Sequence, residues 1–145
     1  MLELYKGALE VENLQNKWYR QIKDKNYGAF ITFVGIVRDE DNIQGLSFDI
    51  YEPILIKWFK KWQQDLNKKG AYLFMAHSYD DVYIHQSSFM CAVSSPKRRI
   101  ALDMIDAFVE DFKASAPIWK YDIKNNQRIF AKDRAKKLPN SGVLK

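Results

Sequence analysis

Apolar positions along the chain follow two periods. Val11, Leu14, Trp18 and Ile22 recur every three to four residues and predict a helix, with Asn26-Tyr27-Gly28 as its stop signal. Leu55, Trp58, Phe59, Trp62 and Leu66 mark a second helical face. Pro53 suits its first turn, and Lys68, Lys69 and Gly70 are C-terminal signals. Ala101, Met104, Ile105, Phe108, Val109 and Phe112 form the stripe of a third. Ser95 is expected as its N-cap and Pro96 as its first residue. Pro117 should end it near Ser115.

Between the helices the period shortens to that of strands. Residues 29–37 are rich in β-branched and aromatic residues and read as a strand. Residues 46–51 alternate Leu46, Phe48 and Ile50 against Ser47, Asp49 and Tyr51, as in a half-buried strand. Residues 72–78 and 88–94 read as two more strands, with turns at Asp80-Asp81 and His85-Gln86-Ser87 that flank a very short one. Residues 118–123 predict a last strand, and Asn125-Asn126 turns it back through Arg128-Ile129-Phe130. Arg38 to Gly45 is a polar loop. Helices and strands mix without strict alternation, so the class is α+β.

Composition narrows the picture. With 145 residues, 47% hydrophobic and 28% charged, the chain reads as one globular domain over residues 1–135, followed by a polar tail at 136–145 expected to be mobile. A chain of this size buries roughly 70% of its unfolded surface and needs no disulfide or structural metal to fold. The single cysteine, Cys91, lies in an apolar run where a buried inert thiol is expected. With two separated histidines and one cysteine no metal-ligand spacing exists, so neither metal nor cofactor is expected. No run reaches the ~18 apolar residues of a membrane span, and no secretory leader pattern is visible, so a cytoplasmic chain without membrane association is expected. A formal charge of +5 favours anionic partners: nucleic acid, a phosphorylated small molecule or an acidic protein.

Four places can carry chemistry. Lys97-Arg98-Arg99 put cations in the first turn of a helix, against its dipole; they read as a phosphate cradle or as a solvated basic turn. Lys113 ends the row Ile105, Val109, Lys113, so its amine faces a cleft or is an ordinary C-terminal cation. Lys120 shares the core-side face if Ile118 points inward, and is exposed if Trp119 does. Arg38, at the end of a strand, forks onto a substrate anion or pairs with Asp39, Glu40 or Asp41. His77 and His85 read as structural or exposed.

Together these segments resemble the catalytic, large subunit of molybdopterin synthase over nearly the whole chain. The matching pieces are Gly28-Ala29-Phe30-Ile31-Thr32-Phe33-Val34-Gly35-Ile36-Val37-Arg38, Ser94-Ser95-Pro96-Lys97-Arg98, and Lys113-Ala114-Ser115-Ala116-Pro117-Ile118-Trp119-Lys120. The resemblance implies an α/β-hammerhead fold with an additional small antiparallel sheet. It implies a homodimer that binds two copies of a ubiquitin-like sulfur carrier ending in Gly-Gly, a heterotetramer in all. It implies sulfur transfer from the carrier's thiocarboxylate to cyclic pyranopterin monophosphate, with Lys113 and Lys120 as catalytic residues. Ile36, Val37, Arg38, Lys97, Arg98, Tyr121 and Asp122 are implied beside them as substrate-binding positions. Lys97 stands where the family usually has histidine; it keeps the charge but is a poor base near neutral pH. A small basic nucleic-acid-binding domain is the competing reading. Its tryptophans sit on predicted core faces, not among arginines as stacking platforms would.

Overall fold

The structure is a computed structural model that describes residues 1–131. The expected tail at 136–145 lies outside the described residues. In chain order the elements are β1 (Leu2–Lys6), α1 (Val11–Ile22), β2 (Ala29–Ile36), β3 (Gly45–Ile50), α2 (Glu52–Lys68), β4 (Tyr72–Tyr83), β5 (Ser87–Ser95), α3 (Arg98–Ser115), β6 (Ile118–Lys124) and β7 (Gln127–Phe130). Among the described residues the strands run β2-β5-β4-β3-β6-β7, with β1 beside β4. Every pairing is antiparallel except β1 with β4.

The organising strand is β4. Its first half, Tyr72 to His77, pairs with β5, and Met75 to Tyr79 take β1 on the other edge. From Asp80 onward that edge belongs to β3. One strand thus serves a larger sheet and a smaller one, and the backbone turns between them at Asp80, whose φ is 62°. Aspartate tolerates this left-handed region better than most residues. The turn expected at Asp80-Asp81 is therefore a bend within a continuous strand, because β3 offers both residues a partner there. The real reversal falls at Ile84 to Gln86, with His85 at φ 70°.

The larger sheet is covered on both faces. Phe89, Cys91 and Val93 of β5 point into a core shared with α2 and α3, while Met90 and Ala92 meet α1 around the fully buried Trp18. That double coverage explains why all nine residues of β5 are buried and why no alternation marks it in the sequence. The Cys91 thiol is buried, and burial raises its pKa.

The segment β1 escaped the sequence reading; Leu2 and Leu4 are only two apolar positions, too short a pattern to register. It is tied to α1 through Glu3, which accepts hydrogen bonds from Tyr5 Oη (2.7 Å), Trp18 Nε1 (2.8 Å) and Lys17. The α3 start also differs from expectation. Ser95 pairs with Ala29 as the last residue of β5, its carbonyl accepts from Gly28 N, and its hydroxyl donates to the Lys97 carbonyl at 2.5 Å. With these groups spent it cannot cap. Lys97 occupies the N-cap position, no side chain caps the helix, and Pro96 precedes it. The Asn125-Asn126 turn appears as expected, both residues left-handed at φ 51° and 59°.

Candidate functional site

The α3 helix separates the predicted residues into two groups. It has 18 residues, about 26 Å at 1.5 Å per residue. Lys97 and Arg98 stand at its start and Lys113 in its last turn. The end of β2 lies at the Lys113 end: Gly35 pairs with Phe89, and Phe89 stacks on Phe112 at 4.0 Å with planes 3° apart. Ile36, Val37 and Arg38 follow directly. Lys120 joins them, because β6 sets it opposite Phe48, whose ring lies 4.9 Å from His77, itself 5.5 Å from Phe112. Within one chain the structure gathers Ile36, Val37, Arg38, Lys113 and Lys120 near one end of α3. It leaves Lys97 and Arg98 at the other.

The side chains differ in what they present. Lys113 is exposed at the margin of the aromatic bed. Ile118 is buried in the main core and Trp119 only partly buried, so the two readings of Lys120 resolve in favour of the core-side face. Lys120 is half-buried there. Ile36 is 59% exposed, whereas Val37 is buried, with its N–H donating to Gln86 O (2.9 Å) and its carbonyl accepting from His85 N (2.7 Å). Val37 therefore anchors the strand end and exposes no group of its own. Arg38 extends into solvent and pairs with Glu40 at 2.8 Å, the local ion pair foreseen as the alternative to a substrate contact.

Tyr121 and Asp122 lie on opposite faces of β6. Asp122 shares the core-side face with Lys120. Tyr121 faces the outer side, where the Arg128 guanidinium lies over its ring at 4.1 Å and reaches Asp49 at 2.8 Å. Partial burial raises the Tyr121 phenol, and its hydrogen bond to Asp49 adds to this. The Asp49–Arg128–Tyr121 group was not foreseen. The Asn125-Asn126 turn would have given the signal, since it fixes a register that puts residues 121 and 128 on one face.

A carboxylate steadies the lysine end. Asp111 accepts the indole N–H of Trp58 (3.0 Å) and of Trp62 (2.7 Å), and the Ser115 hydroxyl (2.9 Å). The last turn of α3 is thereby fastened to α2. These tryptophans are engaged in the fold and are not stacking platforms. A cavity of about 590 Å³ is lined by Leu4, Phe48, Ile50 and Tyr79 with three carboxylates, Asp49, Glu52 and Asp80. At the lysine end Ile36, Arg38 and Lys113 are exposed. Among the described residues no group of three or more His, Cys, Asp or Glu is placed to hold a metal. No described helix is long and apolar enough to cross a membrane.

The MoaE protein family model matches residues 8–115. A molybdopterin synthase catalytic subunit from Helicobacter pylori (strain ATCC 700392 / 26695) is 51% identical over 144 residues, covering 99% of each chain. A solved protein–protein complex of subunits 1 and 2 of molybdopterin-converting factor from Helicobacter pylori 26695 contains a chain that superposes with a TM-score of 0.89 and 52% identity, covering 92% of this chain and 91% of that one. Molybdopterin synthase from Staphylococcus aureus shares the fold, with a TM-score of 0.76 at 23% identity over 88% of this chain and 94% of that one.

Proposed function

We propose the activity of this chain from one premise: it belongs to the MoaE protein family. It is the catalytic subunit of a molybdopterin synthase, an enzyme that transfers sulfur in the making of molybdenum cofactor. Its partner is a small sulfur-carrier subunit of ubiquitin-like form, and two large subunits meet in the assembly. The sulfur of the carrier's C-terminal Gly-Gly thiocarboxylate bonds to the pterin, water then cleaves the acyl–sulfur bond so that the carrier leaves as a carboxylate, and two such deliveries convert cyclic pyranopterin monophosphate to the dithiolene. The chemistry rests on side chains, with no resident cofactor, and the setting is the cytoplasm.

The single observation that carries the residue assignment is that Lys113, Lys120 and Arg38 all lie toward the same end of α3. Both reactants are anionic, and the acyl transfer develops further negative charge on oxygen. Lys113, exposed at the rim, contacts the carrier's terminal carbonyl; half-buried Lys120 contacts the pterin. Either ammonium stabilises the developing oxyanion, and one of them supplies a proton. Lys97 and Arg98, about 23 Å from Lys113 along α3 of the same chain, belong to the site of a second copy, where they hold the phosphate. Ile36 lies along the entry for the carrier's tail, and Val37 supports Arg38 from beneath.

The test is reconstitution. Purified chain, thiocarboxylated carrier and cyclic pyranopterin monophosphate should yield molybdopterin in a single incubation. No product with an active carrier preparation contradicts the assignment, and tight salt-sensitive binding to nucleic acid in its place would restore the competing reading.

A further inference from the structure

Three segments distant in sequence meet at the end of the molecule away from Lys113. A Cβ on Gly28 would lie 2.5 Å from the Pro96 carbonyl oxygen, and one on Gly70 would lie 3.6 Å from Pro96 Cγ. The Lys25 ammonium stands 5.8 Å from the centre of the Tyr72 ring, and Tyr72 pairs with Ser94, two residues before Pro96. The C-terminal ends of α1 and α2 and the start of α3 are thus held around one proline. Residues 23–28, 65–70 and 96–103 carry seven lysines and arginines against three carboxylates, a net +4 of the chain's formal +5.

Pairing does not account for this charge. Among the described residues, Arg99 alone of the seven has a carboxylate partner, Asp103 at 3.2 Å. Helix dipoles account for only part of it. Lys68 and Lys69 sit at a C-terminus, where cations are favoured; Lys97 and Arg98 sit at an N-terminus, where they are not. That N-terminus also lacks a side-chain cap, so its first N–H groups remain available to an acceptor. The cavities at Asp80 are lined by other residues. The three segments act as an open field over a few ångströms to about a Debye length.

We propose that Lys68 and Lys69, with Lys25, extend the Lys97-Arg98 turn into a capture surface for the phosphate of the pterin substrate. This rests on the sulfur-transfer reading above and assigns substrate affinity to residues outside the recognised motifs. The surface supplies binding through charge, while the chemistry stays with the lysines at the far end of α3 in the neighbouring copy. A small phosphate suits it better than nucleic acid, because no exposed aromatic side chain lies in these three segments to stack a base.

The experiment measures KM for cyclic pyranopterin monophosphate, KM for the thiocarboxylated carrier, and kcat, in the reconstituted complex across a salt series. The variants are Lys68→Glu/Lys69→Glu and the milder Lys68→Gln/Lys69→Gln. At about 25 mM salt the reversal should raise the pterin KM about five-fold, with the glutamine pair in between and kcat within about two-fold. Above about 0.3 M salt the gap should close. An unchanged pterin KM at low salt overturns the proposal, as does a rise confined to the carrier's KM. Failure of the underlying reading looks different, since the wild-type complex then makes no product. Inorganic phosphate titrated into the labelled full-length chain decides that case by backbone amide shifts. Shifts at Lys68, Lys69 and Arg98 that the charge reversal abolishes support the surface; none in the wild type overturns it.

Discussion

The two ends of α3 both carry cations, and they are built in opposite ways. At the C-terminal end Lys113 follows Phe112, whose ring lies flat on Phe89, with His77 and Phe48 beyond. Asp111 binds that turn to α2 through two indoles. The dipole favours a cation there. At the N-terminal end Lys97 and Arg98 stand exposed, with no cap and with the dipole against them. Under the proposed function the difference separates two tasks. A group that stabilises charge within an acyl transfer must be held in place, and the lysine end is held by aromatic packing and a carboxylate clamp. A group that gathers an anion needs charge and access, and the other end accepts some loss of fold stability to provide them.

The largest effect should come from the held end. Lys113→Ala and Lys120→Ala should each lower single-turnover sulfur transfer from thiocarboxylated carrier by about a thousand-fold, with unfolding midpoints near wild type. Near-normal turnover in both variants would remove the site from this end. The packing beneath it comes next. Phe112→Ala should cost about 3 kcal/mol in urea unfolding, since it empties one side of the Phe89 stack. A loss below about 1 kcal/mol would mean that the bed is not rigid.

His77 extends the comparison to pH. Burial lowers its pKa from 6.5 to about 4, only partly countered by the hydrogen bond of Nδ1 to the Ser78 carbonyl. The folded state disfavours the proton and the unfolded chain takes it up near 6.5. Stability from this group is therefore complete above 6.5 and falls as pH drops toward 4. Between pH 7 and pH 5 the wild type should lose about 2 kcal/mol more than His77→Phe. Equal losses would show that His77 carries no such penalty. The smallest effect belongs to the exposed end, and its sign is the informative part. Arg98→Glu should stabilise the fold by about 0.5 kcal/mol, because it reverses an unfavourable dipole contact, while raising the pterin KM. Destabilisation instead would mean that Arg98 supports the fold.

Much of this arrangement was legible in the chain. Three helices and most strands followed from periodicity, since each helix buries one stripe: Leu14, Trp18 and Ile22 in α1, Leu55, Phe59 and Leu66 in α2. What escaped depends on partners distant in sequence. The two-residue pattern of β1 acquires meaning only against β4. Asp80-Asp81 has the composition of a turn and becomes strand because β3 lies beside it. Ser95 has the chemistry of a cap and is consumed by β2. Ser47 was read as solvent-side, yet it is fully buried, with its hydroxyl donating to Asp81 at 2.6 Å. For the site, the motif residues were named from resemblance, and Ile118 settled the facing of Lys120. The distance between Lys97 and Lys113 also follows from sequence once both are placed on one helix. The meeting of Lys25, Lys68 and Lys69 around Pro96 does not.

The central claim is that the two ends of α3 serve one site from different copies of the chain. Subunit complementation tests it directly. Lys113→Ala/Lys120→Ala and Lys97→Ala/Arg98→Ala are unfolded together, refolded as a mixture and assayed with thiocarboxylated carrier at a pterin concentration well below the wild-type KM. There the loss of catalysis in one and of substrate binding in the other each leave little activity alone. Half of the dimers are then mixed, and each mixed dimer holds one intact site. Activity should return to about a quarter of wild type. A mixture no more active than its separate components would contradict the account and place both ends in the service of a single chain.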